Sequence, residues 1–176
     1  MKDALCTMKD RSSTRGYSAE AISAEALTAI LQAGLEAPTA RNMQEIFFSV
    51  LTRGNPLLDE LEAEKNRLQN LPAQENNFYY NAPAVVILSA DNGFRWSTLD
   101  AGIAVENMAL AAEALGLGSV IIGCIYDAMH GEKEAYFASA LKFPENYGFK
   151  IALAIGHKAT EKIPHTFDAA AQIAYL

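Results

Sequence analysis

Cysteine and histidine are scarce, at two and three among 176 residues. Cys6 and Cys124 are too few for the disulfide framework of a small secreted domain and fit a reduced cytoplasm. His130, His157 and His165 stand at no metal-ligand spacing to either cysteine. No Cys–His nucleophile pair, Ser-His-Asp order or nucleophile elbow is present. Long apolar runs are missing too. The first fifteen residues are charged throughout and hold no apolar core of signal-peptide length. Asp100, Glu106 and Glu113 interrupt the most apolar helical stretch, so no transmembrane span is expected. Basic residues are outnumbered, 14 against 21 acidic, for a formal charge of −7. That balance argues against general nucleic-acid binding, which demands basic surface, but leaves room for a small anion at a local cluster. No repeat, low-complexity tract or linker divides the chain, and residues 1–176 are read as one domain.

What is there is a chain with 51% apolar residues, enough to bury a core. Ser23 is placed to cap a helix to Ala37, with Leu27, Ile30, Leu31 and Leu35 as its apolar stripe and Pro38 as its stop. Residues 45–52 (EIFFSVLT), β-branched and aromatic, predict a strand. After the turn at Gly54, Asn55 and Pro56, an amphipathic helix runs to Gln69 on Leu57, Leu58, Leu61 and Leu68. Residues 84–90 form a continuous apolar run, the pattern of a strand covered on both faces. Ser97 is read as the cap of a long helix to Leu115. Ile103, Ala104, Val105, Met108 and Leu110 help its apolar surface cover most of the circumference. Gly102 and its other small residues would admit a close neighbour, either an internal sheet or a symmetric partner. Residues 120–125 and 149–155 predict two further strands, with a helix over 132–141 between them. Without strict βαβ spacing, this order predicts an α+β fold with helices packed on a mixed sheet.

Several segments carry side chains suited to a ligand. Arg11, Ser12, Ser13, Thr14 and Arg15 set two forked guanidiniums around three hydroxyls. That group suits phosphate oxygens, and it also reads as a solvated arm. Behind Pro38, residues Thr39, Asn42 and Gln44 place hydroxyl and amide groups in a loop. They can meet the polar edge of a planar heterocycle, or simply connect helix to strand. Gly116 and Gly118 precede a strand, with Ile121 where a dinucleotide-binding loop needs its third glycine, so that motif is rejected. Gly116 reads instead as a helix C-cap, and Gly123, before Cys124, as a point of close backbone approach. A late segment is locally basic through Lys158 and Lys162. Asp100 is read as a cap in the first helical turn or as a buried functional acid. No set of acid, base or nucleophile emerges, so no catalytic residue is assigned and the hard chemistry falls to a cofactor.

In their order and spacing, RSSTRGY (11–17), APTARNMQ (37–44), APAVVIL (82–88), DAGIAVENMALAAEALGLGS (100–119) and LKFPENYGFKIALAIGH (141–157) resemble the FMN-dependent nitroreductases, from Arg11 to His165. The resemblance implies a mainly antiparallel sheet, an interlocked homodimer and FMN bound at its interface. It implies that Arg11, Ser13 and Arg15, with Ser12 beside them, meet the FMN phosphate or ribityl groups. Pro38, Thr39, Asn42 and Gln44 would reach the flavin from the other subunit, and Gly123 and Cys124 would approach N5. Lys162, ahead of His165 and Lys158, would supply a late phosphate contact. Many relatives carry arginine at Ser12 and glycine at Cys124; a backbone N–H survives the second change. Hydride would pass from NADH or NADPH through flavin N5 to an organic acceptor such as a nitroaromatic or quinone, in ping-pong order. A flavin store or sensor, and a member with specialised chemistry such as dehalogenation or flavin fragmentation, stand as alternatives. The expectation is a cytoplasmic homodimeric flavoprotein with no metal, nucleic-acid or membrane partner.

Overall fold

The computed structural model describes residues 3–72, 77–160 and 166–176. Its strands are β1 (Phe47–Thr52), β2 (Ala84–Asp91), β3 (Gly118–Ile122) and β4 (Tyr147–Gly156), in one sheet of order β1-β2-β4-β3. All three ladders are antiparallel, and an isolated parallel bridge joins Ser13 to Ser119 at β3. The central place of β2 follows from its sequence. Every residue from Ala84 to Ala90 is buried, which suits a strand with both faces covered. Its alternate side chains then divide the core. Val85 and Ile87 pack with Leu58, Leu61, Ile122 and Phe137 on one face. Val86 and Leu88 pack with Ile30, Ala104, Met108 and Leu153 on the other.

The helices are α1 (Ala4–Asp10), α2 (Ala24–Leu35), α3 (Pro56–Gln69), α4 (Ser97–Ala114), α5 (Tyr126–Met129), α6 (Glu134–Ala140) and α7 (Ala169–Gln172). Helices α2 and α4 cover one face of the sheet, and α3, α5 and α6 the other. Ser23 caps α2 as expected, its hydroxyl accepting from the Ala26 N–H at 3.1 Å. Asn55 accepts from the Leu57 N–H at 3.0 Å and Pro56 opens α3. Gly34 lets α2 approach α4, since a Cβ there would lie 2.8 Å from Met108 Sδ. Among the described residues no helix is long and apolar enough to cross a membrane.

Three expectations are corrected. Leu35 is 65% exposed, so the buried stripe of α2 is completed by Gly34. Ser97 lies inside α4; the cap position is Trp96, which makes no side-chain cap bond. Strand β3 stops at Ile122 because the chain turns at Gly123, whose carbonyl accepts from the Tyr126 N–H at 2.9 Å.

On the outer side of α3, buried Glu64 accepts from Arg67 Nη2 at 2.6 Å and pairs with Lys133 at 2.9 Å, tying α3 to the start of α6. These bonds hold its carboxyl at about 2, below the ordinary 4.5. A depressed folded value means that the contribution is complete above 4.5 and fades as pH falls toward 2. Glu64→Gln should therefore melt below the wild type at neutral pH, with the gap closing on acidification through that window. Thermal melts of both proteins across pH check this; a gap independent of pH contradicts it.

Candidate functional site

The segment after α1 is fixed by backbone pairing. The Thr14 N–H donates to Ser119 O at 2.9 Å, Ser13 bridges Ser119, and Tyr17 bridges Lys158. Further along, the Ser18 N–H donates to His157 O at 3.0 Å and the Ala159 N–H to Gly16 O at 2.9 Å. Arg11, Ser12, Ser13 and Arg15 are thereby set beside the start of β3 and the chain leaving β4. Arg11, Ser12 and Ser13 are half-buried, and Arg15 is exposed. Gly118 is required for this contact, because a Cβ there would meet Thr14 Oγ1 at 2.5 Å and Lys158 Cγ at 2.7 Å.

Helix α4 supplies carboxylates to the same edge. Glu106 lies 3.4 Å from Arg11 Nε, and buried Glu113 lies 2.5 Å from Lys158 Nζ. Two of the three cations are thus held by acids of one helix, which preorganises a positive edge on an acidic chain. Lys162 and His165, expected beside Lys158, lie outside the described residues.

Strand β3 runs from this edge to Gly123 and Cys124. Gly123 lies four residues beyond Ser119, about 13 Å at about 3.3 Å per residue. Gly123 is exposed, and the nearest atom to a Cβ built on it is Ile151 Cδ1 at 3.8 Å, so open space remains in front of the backbone. The Cys124 carbonyl accepts from Gln69 Nε2 at 3.2 Å, and Ile125 is fully buried, so the turn is pinned behind this opening. Burial pushes the Cys124 thiol above its ordinary value, which disfavours the reactive thiolate form.

The loop at residues 38–44 is held differently. Thr39 Oγ1 accepts from the Gln44 N–H at 2.9 Å, and Thr39 O from the Asn42 N–H at 3.0 Å. Arg41, Asn42 and Gln44 all adopt left-handed backbone, with φ of 58°, 54° and 51°. For residues other than glycine such conformations cost of order 1–3 kcal/mol each and collect at ligand sites. Pro38, Asn42 and Gln44 are exposed, and Thr39 is half-buried. The anchor is Asp100 of α4, 2% exposed, whose Oδ2 accepts from the Ala40 N–H at 2.9 Å. Asp100 therefore caps a segment 60 residues earlier rather than its own helix. Sequence spacing carried no signal for that role, nor for the partnership of Glu113 with Lys158.

One chain does not bring the whole candidate set together. The 38–44 loop hangs on α4 at Asp100, and Lys158 at Glu113, thirteen residues further along the helix. At about 1.5 Å per residue these ends are roughly 20 Å apart. Between them, the outward side of α4 carries exposed Leu99 and Gly102 with half-buried Ile103 and Leu110. With Met8 and Trp96 they line an open, mostly apolar groove of about 830 Å³. Ala104 and Met108 face inward instead and are fully buried in the chain's own core.

Fold and site together define an α+β protein with an anion-suited cationic edge at one end of a strand and an open backbone turn at the other. The sequence model of the nitroreductase family matches residues 8–157, and the chain belongs to that family. It is 31% identical to an Archaeoglobus fulgidus protein that carries the provisional name NADH dehydrogenase/NAD(P)H nitroreductase, over 92% of this chain and 89% of that one. Two crystal structures of nitroreductases with bound FMN share its fold. The Desulfitobacterium hafniense protein superposes with a TM-score of 0.89 at 29% identity, covering 100% of this chain and 99% of its own. The Bacteroides fragilis protein gives 0.88 at 26%, covering both chains fully.

Gly118→Ala should force Thr14 and Lys158 off β3. Overpacking of this kind costs about 1–3 kcal/mol, so chemical denaturation should show a lower midpoint. An unchanged midpoint would mean that the N-terminal segment is not seated as described.

Proposed function

We propose that this single nitroreductase-like domain is an FMN-dependent oxidoreductase that takes reducing equivalents from NADH or NADPH and delivers them to a small organic acceptor. The observation that carries this reading is the pairing of residues 13 and 14 with Ser119. It puts a phosphate-suited edge at one end of β3 while the open Gly123 turn stands at the other.

The residues present fit the cofactor. Arg11, Arg15 and the hydroxyls of Ser12 and Ser13 hold the phosphate and ribityl end, with Lys158, Lys162 and His165 as the late basic group. Forked guanidiniums match phosphate oxygens in a way that ammonium groups do not. The backbone at Gly123 and Cys124 would meet the ring, because the lack of a Cβ at Gly123 lets a planar group approach. When bound, FMN would supply the redox chemistry, accepting hydride from a nicotinamide and passing it to an acceptor such as a nitroaromatic or quinone in ping-pong order. The chain's own part is to anchor, orient and exclude water. Cys6 and Cys124 are both free, in keeping with a reducing cytoplasm.

Geometry within one chain also supports a homodimer. A two-fold partner packed on the groove, with the two α4 helices antiparallel, would bring the 38–44 loop of one protomer to the cationic edge of the other. A closed pair repeats the same patch on both subunits and creates two equivalent sites. Pro38, Thr39, Asn42 and Gln44 would then complete a site that their own chain leaves open.

Purified protein should release a flavin with one phosphate on denaturation, and its colour should bleach on anaerobic titration with NADH or NADPH. A charge-assisted hydrogen bond to phosphate is worth about 1.5–3 kcal/mol. Arg11→Ala and Arg15→Ala should each weaken FMN binding roughly tenfold or more. A colourless protein that ignores added FMN overturns the reading, and a coloured one that no nicotinamide bleaches makes it a store or sensor.

The dimer is tested on the outward face of α4, because Ala104 and Met108 are core. Ile103→Asp should yield monomers by light scattering and lose FMN together. A wild-type monomer that holds FMN refutes the shared site.

A further inference from the structure

Immediately after the 38–44 loop stands a residue that breaks the rules of burial. Glu45 is 6% exposed, and neither of its carboxylate oxygens receives a hydrogen bond from a donor. An ionised carboxylate in that position would bury two unsatisfied acceptors, an expensive arrangement. Its neighbours make the problem worse. The Asp100 carboxyl of α4 faces the Glu45 carboxyl, and Asp91, at the end of β2, adds a second negative charge. Tyr147, at the start of β4, faces the same carboxyl. The nearby cation Lys150 faces Asp91 and donates to Asn92 Oδ1 at 2.9 Å, not to Glu45.

A proton resolves every one of these conflicts. A protonated carboxyl has an O–H to donate, and Asp100 is the acceptor that faces it. Asp100 Oδ2 already accepts from the Ala40 N–H, the bond that anchors the loop. We propose that Glu45 shares one proton with Asp100, and that the pair is an acid latch holding residues 38–44 in their left-handed conformation. Glu45 is then a positioning residue, acting on the loop through Asp100. Loss of the proton sets two carboxylates against each other beneath the loop and releases Ala40.

The sign of the pH dependence follows. Burial first, then Asp100 and Asp91, hold Glu45 above the ordinary carboxylate value of 4.5. A raised folded value means that the latch is complete below 4.5 and is lost as pH climbs through the value in the folded protein. The latch stands on the fold alone; its bearing on a flavin rests on the reading above.

Amide exchange at Ala40, in the purified chain from about pH 5 to about pH 8, tests it against Glu45→Gln. Glutamine donates an N–H at every pH, so that variant imitates the protonated latch. The ratio of the two exchange rates cancels the intrinsic pH dependence of exchange. The wild type should open more readily as pH rises, by up to about tenfold per unit, and then level off. Asp100→Asn, which keeps an acceptor for Ala40 and adds a donor for Glu45, should also flatten the profile. A wild-type-to-variant ratio that stays level, or a wild-type slope retained in Asp100→Asn, overturns the latch. An FMN titration over the same range separates the two ideas. If the exchange ratio rises while FMN affinity stays level with pH, the latch holds and the loop's place at the flavin falls.

Discussion

Helix α4 lies flat on the sheet because its inner face is built from Ala101, Ala104, Val105, Met108, Ala109 and Ala112, all buried. Small side chains there let the helix approach β2, β3 and β4 closely, and Gly34 allows α2 to follow. Three attachments of the site hang from that placement. Three acids along the helix each hold a different piece: Asp100 the 38–44 loop, Glu106 the Arg11 guanidinium, and Glu113 the Lys158 ammonium. A large residue on the inner face would lift all three attachments together, which makes α4 a single point of failure for a site spread over distant sequence.

The burial of the acids gives the attachments unequal meaning. Glu106 and Arg11 are both partly open to water, where an ion pair contributes little and can yield to a competing phosphate. Glu113 is 4% exposed, so its ion pair with Lys158 is far less open to water than that of Glu106. Lys158 has a structural task whatever it does for a ligand, and its removal would confound anchoring with unfolding. Arg11 and Arg15 report on phosphate more cleanly.

Much of this was legible from sequence. The uninterrupted apolar run at 84–90 gave a central strand because only a doubly covered strand can bury seven successive residues. Ser23 and Asn55 with Pro56 marked two helix starts through local bonds that any reader of caps can anticipate. The family pieces named segments that the fold sets beside β3 and α4. What stayed hidden is non-local. Nothing near Asp100 in the chain shows that its partner is the Ala40 N–H, so its own helix looked like the group it caps. Ser97 resembled a cap by type, yet its N–H already bonds Phe94 O at 3.1 Å. Leu35 fitted the helical period but falls on the last turn, past the edge of the core. The α4 circumference was apolar enough to suggest burial all round, and periodicity could not say which side meets the sheet.

Natural chains tend to obey local rules everywhere except where function or assembly requires otherwise. Several such exceptions gather around α4. Leu99 and Trp96 are apolar and exposed, Arg41 and Gln44 sit in left-handed backbone, Glu45 is buried without a donor, and Gly118 accepts no side chain. All border α4 or the segments it holds. The side under α3 and α6 has exceptions of its own: Asn70 and Lys142 are left-handed at the ends of these helices and Asn66 Oδ1 is buried without a hydrogen bond, while the buried charges Glu64 and Lys65 are both paired. Strain and exposure of this kind persist only if something later compensates them. A partner against the outward side of α4 would cover the apolar surface, and a planar anionic ligand beneath it would use the strained loop and the cationic edge at once. The irregularities around α4 thus share one explanation, whereas each taken alone would need its own.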